Sequence, residues 1–192
     1  LWRDARDKQL APLEALKIYA LKTAPAFEAA LLCGVCCAQQ LGDLEAPLKQ
    51  FAKHLGVAFQ VLNDLKDWRG DEDNKLSAGL DTLGGRPTVL WALALEGVQA
   101  EQREELLRLV GANDQPSARV ARVQQLYQQA GVFDKAHQLV DKYQERAERI
   151  ADQIEPDSLR RLLYYLVDTV LERPVENEPA LITEVQVVGR ES

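Results

Sequence analysis

The sequence has little of several residue types. Only 6% of its 192 residues are aromatic, methionine is absent and there are two histidines. Its three cysteines are an odd number within one apolar segment, which argues against a disulfide framework, and a zinc site would lack a nearby fourth ligand. We therefore expect three thiols buried at a helix interface: Cys33, Cys36 and Cys37.

Charge and hydropathy limit the partners. The net charge of −7 argues against nucleic acid, although an anionic substrate needs only local positive charge or a bound cation. No secretory signal opens the chain, and the longest apolar stretch is shorter than the roughly 20 residues of a membrane span. We expect no nucleic-acid partner, no membrane span and a cytoplasmic location.

Good helix formers fill the rest of the sequence. Hydrophobic residues make up 46% of the chain, enough for one sizeable core. Alanine, leucine, glutamine, glutamate and arginine dominate, and apolar residues recur at intervals of three and four, which predicts an all-α fold of about eight helices. We place one domain at 1–173 and a tail at 174–192, with a glycine-rich loop at 69–86 of the length that often binds ligands.

A polar stripe lies on the helix predicted for residues 44–68. Gln60, Asn63, Asp64 and Asp67 stand at i, i+3, i+4 and i+7, so they share one face. Carboxylates on adjacent turns repel each other, and a cation between them would remove that cost. Magnesium fits, because it takes hard oxygen ligands from one or two carboxylates and completes its shell with water and substrate phosphate. A solvated acidic surface is the alternative for the two aspartates alone.

Four elements in order resemble the trans-polyprenyl diphosphate synthase family. The family's second aspartate-rich motif, FQxxDDxxD, is matched by Phe59, Gln60, Asn63, Asp64 and Asp67. The other elements are a Lys-Thr pair, a Leu-Gly pair, and a Gly-x-Asp followed five residues later by a basic residue: Lys22-Thr23, Leu55-Gly56, Gly79-Leu80-Asp81 and Arg86-Pro87-Thr88. The resemblance covers about residues 13–173.

The resemblance implies a helical bundle of the isoprenoid synthase type and a prenyltransferase. Such enzymes use Mg²⁺ to condense an allylic diphosphate with isopentenyl diphosphate, 1′-4 and head to tail, and release diphosphate. By resemblance, the metal ligands are Asn63, Asp64 and Asp67. The catalytic residues are Lys22, Thr23 and Gln60, and the diphosphate contacts are Lys22, Arg86 and Lys75.

The sequence departs from the family pattern at several points. The first aspartate-rich motif and the rest of the amino-terminal half are absent, Asn63 replaces an aspartate, and Lys75 lies six residues before Asp81 instead of five. We therefore expect an incomplete fragment without its N-terminal helices, inactive alone, which forms a homodimer or associates with its missing amino-terminal half. The alternatives are a non-catalytic regulatory subunit or diverged homologue, and a helical scaffold or binding domain without lipid chemistry.

Overall fold

The computed structural model describes residues 9–38, 42–69, 79, 84, 86–111 and 116–172. Helices fill almost all of this part, and it contains no strand, so the all-α prediction is confirmed. The predicted tail at 174–192, most of the predicted loop at 69–86, and Lys75 lie outside the described residues.

The described residues form eight α-helices, in line with the predicted number. A short 3₁₀ turn, Gly42–Leu44, leads into the third of them. The helices are α1 (Pro12–Lys22), α2 (Ala24–Ala38), α3 (Glu45–Arg69), α4 (Val89–Gly97), α5 (Ala100–Gly111), α6 (Pro116–Gln129), α7 (Val132–Ala151) and α8 (Asp157–Val170).

Helix α3 is the centre of the bundle. It packs against α1, α2, α4 and α7, because its apolar residues recur every three or four positions and present a continuous buried face. Leu48, Phe51, Leu55 and Leu62 are all at most 2% exposed. The polar stripe predicted from the sequence therefore lies on the best-anchored helix of the molecule.

Helix α4 is apolar on every side and buried. All residues from Val89 to Leu95 are buried, as expected for a helix that is surrounded by others rather than lying at the surface. Its first turn is capped by Thr88, whose Oγ1 accepts a hydrogen bond of 3.2 Å from the Trp91 amide. The start of α4 is thus a fixed point beside α1 and α3.

Helices α2 and α3 cross at a glycine. A Cβ atom placed on Gly56 would lie 2.7 Å from the Ala24 Cα, a backbone atom. Only a residue without a side chain allows the two backbones to approach so closely. The Leu-Gly pair of the sequence therefore has a packing role.

The prediction of buried thiols is wrong. Cys33, Cys36 and Cys37 are exposed, because α2 packs on α3 through its other face, where Ala24 and Val35 are buried. The apolar character of the segment predicted burial, but no other described element covers this side of the helix.

The expectation of no membrane span stays a prediction. The run Pro12–Ala38, which contains α1 and α2, passes a test of length and composition for a membrane-crossing helix, with a hydropathy of 1.4. By itself the result is weak evidence for a span, because a core helix of a soluble protein or a signal sequence passes the same test.

Candidate functional site

Three helices meet where α1 ends, α4 begins and the second half of α3 passes between them. The Thr23 hydroxyl donates to Gln60 Oε1 over 3.0 Å, and Gln60 Nε2 donates to Asp64 Oδ1 over 3.2 Å. From the other side, the Tyr19 hydroxyl donates to Asp64 Oδ2. The Val89 amide donates to the same Tyr19 oxygen over 2.6 Å. One hydrogen-bonded chain therefore connects α1, α3 and α4.

Asp64 is the centre of this chain and one of the few buried polar residues. Its exposure is 5%, yet both of its carboxylate oxygens accept hydrogen bonds. An unpaired carboxylate at such a position would cost several kcal/mol, whereas here a donor is aimed at each oxygen. The network thus holds one acidic side chain in a defined orientation inside the bundle.

Asn63 and Asp67 extend the site along α3. Both are half-buried and lie one helical turn apart, next to Asp64. The three side chains offer amide and carboxylate oxygens, the donor atoms that Mg²⁺ prefers. Within the described part of the chain no three His, Cys, Asp or Glu side chains cluster to hold a metal. Two carboxylates and one amide fit Mg²⁺, which accepts one or two carboxylates and completes its shell with water and phosphate.

A glycine packs against the end of α3. The Gly79 amide donates to the Asp67 carbonyl over 3.1 Å, and Gly79 has a φ of +72°, which favours glycine. A Cβ atom there would lie 2.9 Å from the Trp68 ring. The glycine of the Gly-x-Asp element is therefore required by backbone conformation and by space, next to the candidate metal ligand Asp67.

The predicted diphosphate contacts lie at the margin of this site. Lys22 is exposed in the last turn of α1, next to Thr23. Arg86 is exposed two residues before the Thr88 cap, and its carbonyl accepts from the Thr88 amide over 2.9 Å. The structure thus brings Thr23, Gln60 and Asp64 into direct contact and places two cationic side chains on flanking elements.

Tyr19 and Thr88 are the two site residues to which the sequence prediction gave no role. Tyr19 lies three and four residues before Lys22 and Thr23, so all three share one side of α1. That spacing was the available signal for Tyr19. Thr88 stands directly before an apolar run, the usual sign of a helix cap.

An apolar groove opens beside the site, between α2 and α8. Its volume is about 760 Å³. Phe27, one turn beyond Thr23, lines it and contacts Phe59 edge to face, with ring centroids 5.5 Å apart. Phe59 directly precedes Gln60, so the groove begins next to the polar network. Other lining residues are Leu31, Gly34, Leu159, Leu162 and Leu166.

The sequence matches the polyprenyl synthetase family over residues 2–130, more than half of the chain. The chain belongs to the polyprenyl synthetase family. The match spans the network from Tyr19 to Val89 and all the described residues of the candidate site.

The chain is similar to several curated polyprenyl diphosphate synthases and to solved structures, of which two relatives and one structure are described. The all-trans-nonaprenyl-diphosphate synthase (geranyl-diphosphate specific) of Rhodobacter capsulatus is 28% identical over 68% of the chain and 40% of its own length. Heptaprenyl diphosphate synthase component 2 of Geobacillus stearothermophilus is 30% identical over 70% of the chain and 43% of its length. The chain thus spans less than half the length of these relatives.

The solved structure is the geranylgeranyl pyrophosphate synthase of Corynebacterium glutamicum, complexed with isoprenyl diphosphate and magnesium. It superimposes with a TM-score of 0.75 at 26% identity, and the match covers 85% of this chain and 47% of that one. The fold predicted by resemblance, a helical bundle of the isoprenoid synthase type, is confirmed. The similarity extends over nearly all the helices described above.

Proposed function

We propose that this polyprenyl synthetase chain supplies the carboxy-terminal part of a Mg²⁺-dependent centre that condenses an allylic diphosphate with isopentenyl diphosphate. The observation that carries the proposal is the buried, doubly hydrogen-bonded Asp64, with Asn63 and Asp67 beside it on α3. The hydrogen bonds hold Asp64 in one orientation, and its two neighbours add oxygen atoms of the kind that Mg²⁺ prefers.

The proposed roles follow from the positions of the side chains. Asn63, Asp64 and Asp67 would hold Mg²⁺, which supplies positive charge to the leaving diphosphate. Lys22 and Arg86 are exposed on either side of the network and would bind the diphosphate oxygens as fixed cations. Lys75 keeps its predicted diphosphate contact, which lies outside the described residues.

The network would orient the reacting partners. Thr23 and Gln60 form the part of it that points from Asp64 toward the end of α1. There they would position the allylic carbon next to the apolar groove. The groove would then take up the hydrocarbon chain, since its lining carries mostly apolar side chains and would exclude water from the reacting carbon.

Diphosphate binding tests the metal site directly. Isothermal titration of the 192-residue chain with inorganic diphosphate should show binding that requires Mg²⁺ and is lost in Asp67→Asn, because the second carboxylate is removed while the size of the side chain stays the same. The matched control is Asp168→Asn, at an exposed position on α8 far from the network in sequence. Mg²⁺-dependent binding that Asp67→Asn leaves intact would show that the Asp67 carboxylate is not needed in the site.

Transferase activity tests the wider proposal. We expect the chain alone to be inactive with an allylic diphosphate, isopentenyl diphosphate and Mg²⁺, because one aspartate-bearing helix supplies only part of the metal ligands that the resemblance implies. Activity should appear when the amino-terminal half of a family member is added. If diphosphate binds but no combination transfers a prenyl group, the chain is a non-catalytic regulatory subunit or a diverged homologue, as Asn63 in place of aspartate would suggest. Absence of diphosphate binding favours a scaffold.

The exposed apolar side chains of α1 and α2 carry a proposal about partners. Leu13 and Leu21 are 62% and 77% exposed, and the three cysteines lie on the open face of α2. Apolar surface of this kind is typical of a protein interface. We propose that it binds a second copy of the chain or the amino-terminal half of the family fold. Sedimentation should show association that Leu21→Lys weakens; a monomer at every concentration, with or without the other half, would contradict this.

The cytoplasmic location stays a prediction.

A further inference from the structure

Tyr19 connects the candidate metal site to the start of α4. Its side chain is 6% exposed, and its oxygen contacts both the Asp64 carboxylate and the Val89 amide. The sequence analysis gave Tyr19 no role. Tyr19 is not among the residues expected to touch the substrate or the metal. Its oxygen connects three helices, α1, α3 and α4, through hydrogen bonds.

The direction of each hydrogen bond follows from the chemistry of the groups. A backbone amide can only donate, so the Val89 N–H occupies one lone pair of the Tyr19 oxygen. The single hydroxyl proton of Tyr19 is then available for Asp64 Oδ2. Because Gln60 Nε2 donates to the other oxygen, the carboxylate is fixed from two sides. A carboxylate oxygen can accept more than one contact, so a hydrogen-bonded Asp64 can also face an ion.

The second partner of Tyr19 matters as much as the first. Val89 is the first residue of α4, and its amide is one of the helix-end donors that have no partner within the helix. Thr88 satisfies the Trp91 amide in the same turn, whereas Tyr19 satisfies Val89 from another helix. The segment that carries Arg86 leads directly into this turn. A change at Asp64 can thus be transmitted through one phenol oxygen to the segment with the cationic side chain.

We propose that Tyr19 is a positioning residue that orients Asp64 for the metal ion and couples metal binding to the start of α4. This inference rests on the proposed function, because it requires Asp64 to bind an ion. Groups that orient metal ligands through hydrogen bonds commonly change metal affinity by about 10–100-fold when they are removed.

The test is the binding of Mn²⁺ to the 192-residue chain, in the presence of inorganic diphosphate, followed by the free-ion EPR signal. Tyr19→Phe should raise the Mn²⁺ dissociation constant about tenfold or more, at a temperature where thermal denaturation shows every variant to be folded. The matched control is Tyr164→Phe, which also removes a hydroxyl that donates to an aspartate, Asp152 Oδ1, over 2.6 Å. That variant should bind Mn²⁺ like the wild type.

The outcomes separate this inference from the proposed function. If the wild type binds Mn²⁺ and Asp67→Asn does not, but Tyr19→Phe binds normally, the positioning role is wrong and the proposed metal site stands. If Tyr19→Phe only lowers the melting temperature, its role is structural and the inference also fails. If the wild type binds no Mn²⁺, the metal site fails and the inference with it.

A measurement on the wild type covers the case in which Tyr19→Phe does not fold. Hydrogen exchange at the Val89 amide should slow several-fold when Mn²⁺ and diphosphate are added, because the amide is bonded to the oxygen that holds Asp64. The Ala147 amide, in the buried part of α7, serves as the internal reference and should not change. Equal exchange at Val89 with and without the ion would overturn the coupling.

Discussion

The two faces of α2 have opposite environments, although the helix consists mostly of small and apolar residues. On the inner face, Ala24 packs so closely on α3 that Gly56 cannot carry a Cβ atom without a contact of 2.7 Å. On the outer face, Gly34 has no atom within 4 Å of the position its Cβ would occupy, apart from its own helix backbone and chain neighbours, and the three thiols are exposed.

This difference shows that burial depends on the neighbours available as well as on hydrophobicity. Alanine and valine are buried on the inner face, whereas glycine and cysteine lie on the outer face. All four residue types are often buried in proteins, so composition alone does not predict which face is packed. The inner face is fixed by close backbone approach to α3, whereas the outer face borders the apolar groove that runs to α8. Substituting Gly56, which faces α2 from α3, therefore tests how tightly the inner face is packed. Substituting Gly34 on α2 tests how open the outer face is.

The largest effect is expected from Gly56→Ala. The new methyl group would overlap the Ala24 backbone, and the two helices would have to separate, which typically costs 1–3 kcal/mol or more. Alanine recovers about 1 kcal/mol of helix propensity, so we expect a net loss of up to about 2 kcal/mol in the free energy of unfolding. Urea denaturation followed by circular dichroism measures it. Unchanged stability would mean that α2 can shift on α3 without loss.

The helical fold was predictable because its signals are local. The buried face of α3 repeats every three to four residues, and the structure places the helix at Glu45–Arg69, against a prediction of 44–68. The all-apolar segment Val89–Leu95 follows Pro87, a residue that favours a helix start, and α4 begins at Val89. The exposed cysteines were not predictable, because their exposure depends on whether another element covers α2, and no local pattern contains that information.

The candidate site was predictable in part for the same reason. Gln60, Asn63, Asp64 and Asp67 share one helix, so their spacing revealed a common stripe. Tyr19 reaches Asp64 across 45 positions of the sequence, and such a contact depends on how α1 crosses α3. The spacing of these residues does not indicate that Asp64 is buried while Asn63 and Asp67 are only half-buried. Which acid is central follows from the packing of three helices.

A smaller effect of opposite sign is expected from Gly34→Ala. The new methyl group meets no neighbour outside its own helix in the described part of the chain, and alanine favours the helix by about 0.5–1 kcal/mol over glycine. The free energy of unfolding should therefore rise by about that amount in the same urea experiment. A loss of stability comparable with that of Gly56→Ala would show that the outer face of α2 is packed in solution, which would remove the contrast between the two faces.

The smallest effect concerns a third surface, where α3 meets α7. His54 is half-buried beside Tyr143, with ring centroids 5.7 Å apart, and its Nδ1 has no hydrogen-bond partner in the described part of the chain. Burial, and secondarily the positive charges of Arg146 and Lys53, lower the pKa of His54 below its usual 6.5. In burial, the contact between α3 and α7 at His54 is therefore intermediate between the packed and the open faces of α2.

The lowered pKa predicts how stability depends on pH. Between the two pKa values the unfolded chain binds a proton at His54 that the folded chain does not, so the free energy of unfolding falls as the pH drops through 6.5 toward the folded-state pKa.

His54→Phe keeps an aromatic ring against Tyr143 and removes the titration, and it should lose less stability than the wild type between pH 7.5 and pH 5.5. The same substitution at His137, the other histidine, is the control. If both variants follow the wild-type pH profile, the pH dependence comes from the carboxylates, and the contact between α3 and α7 is open to water at His54.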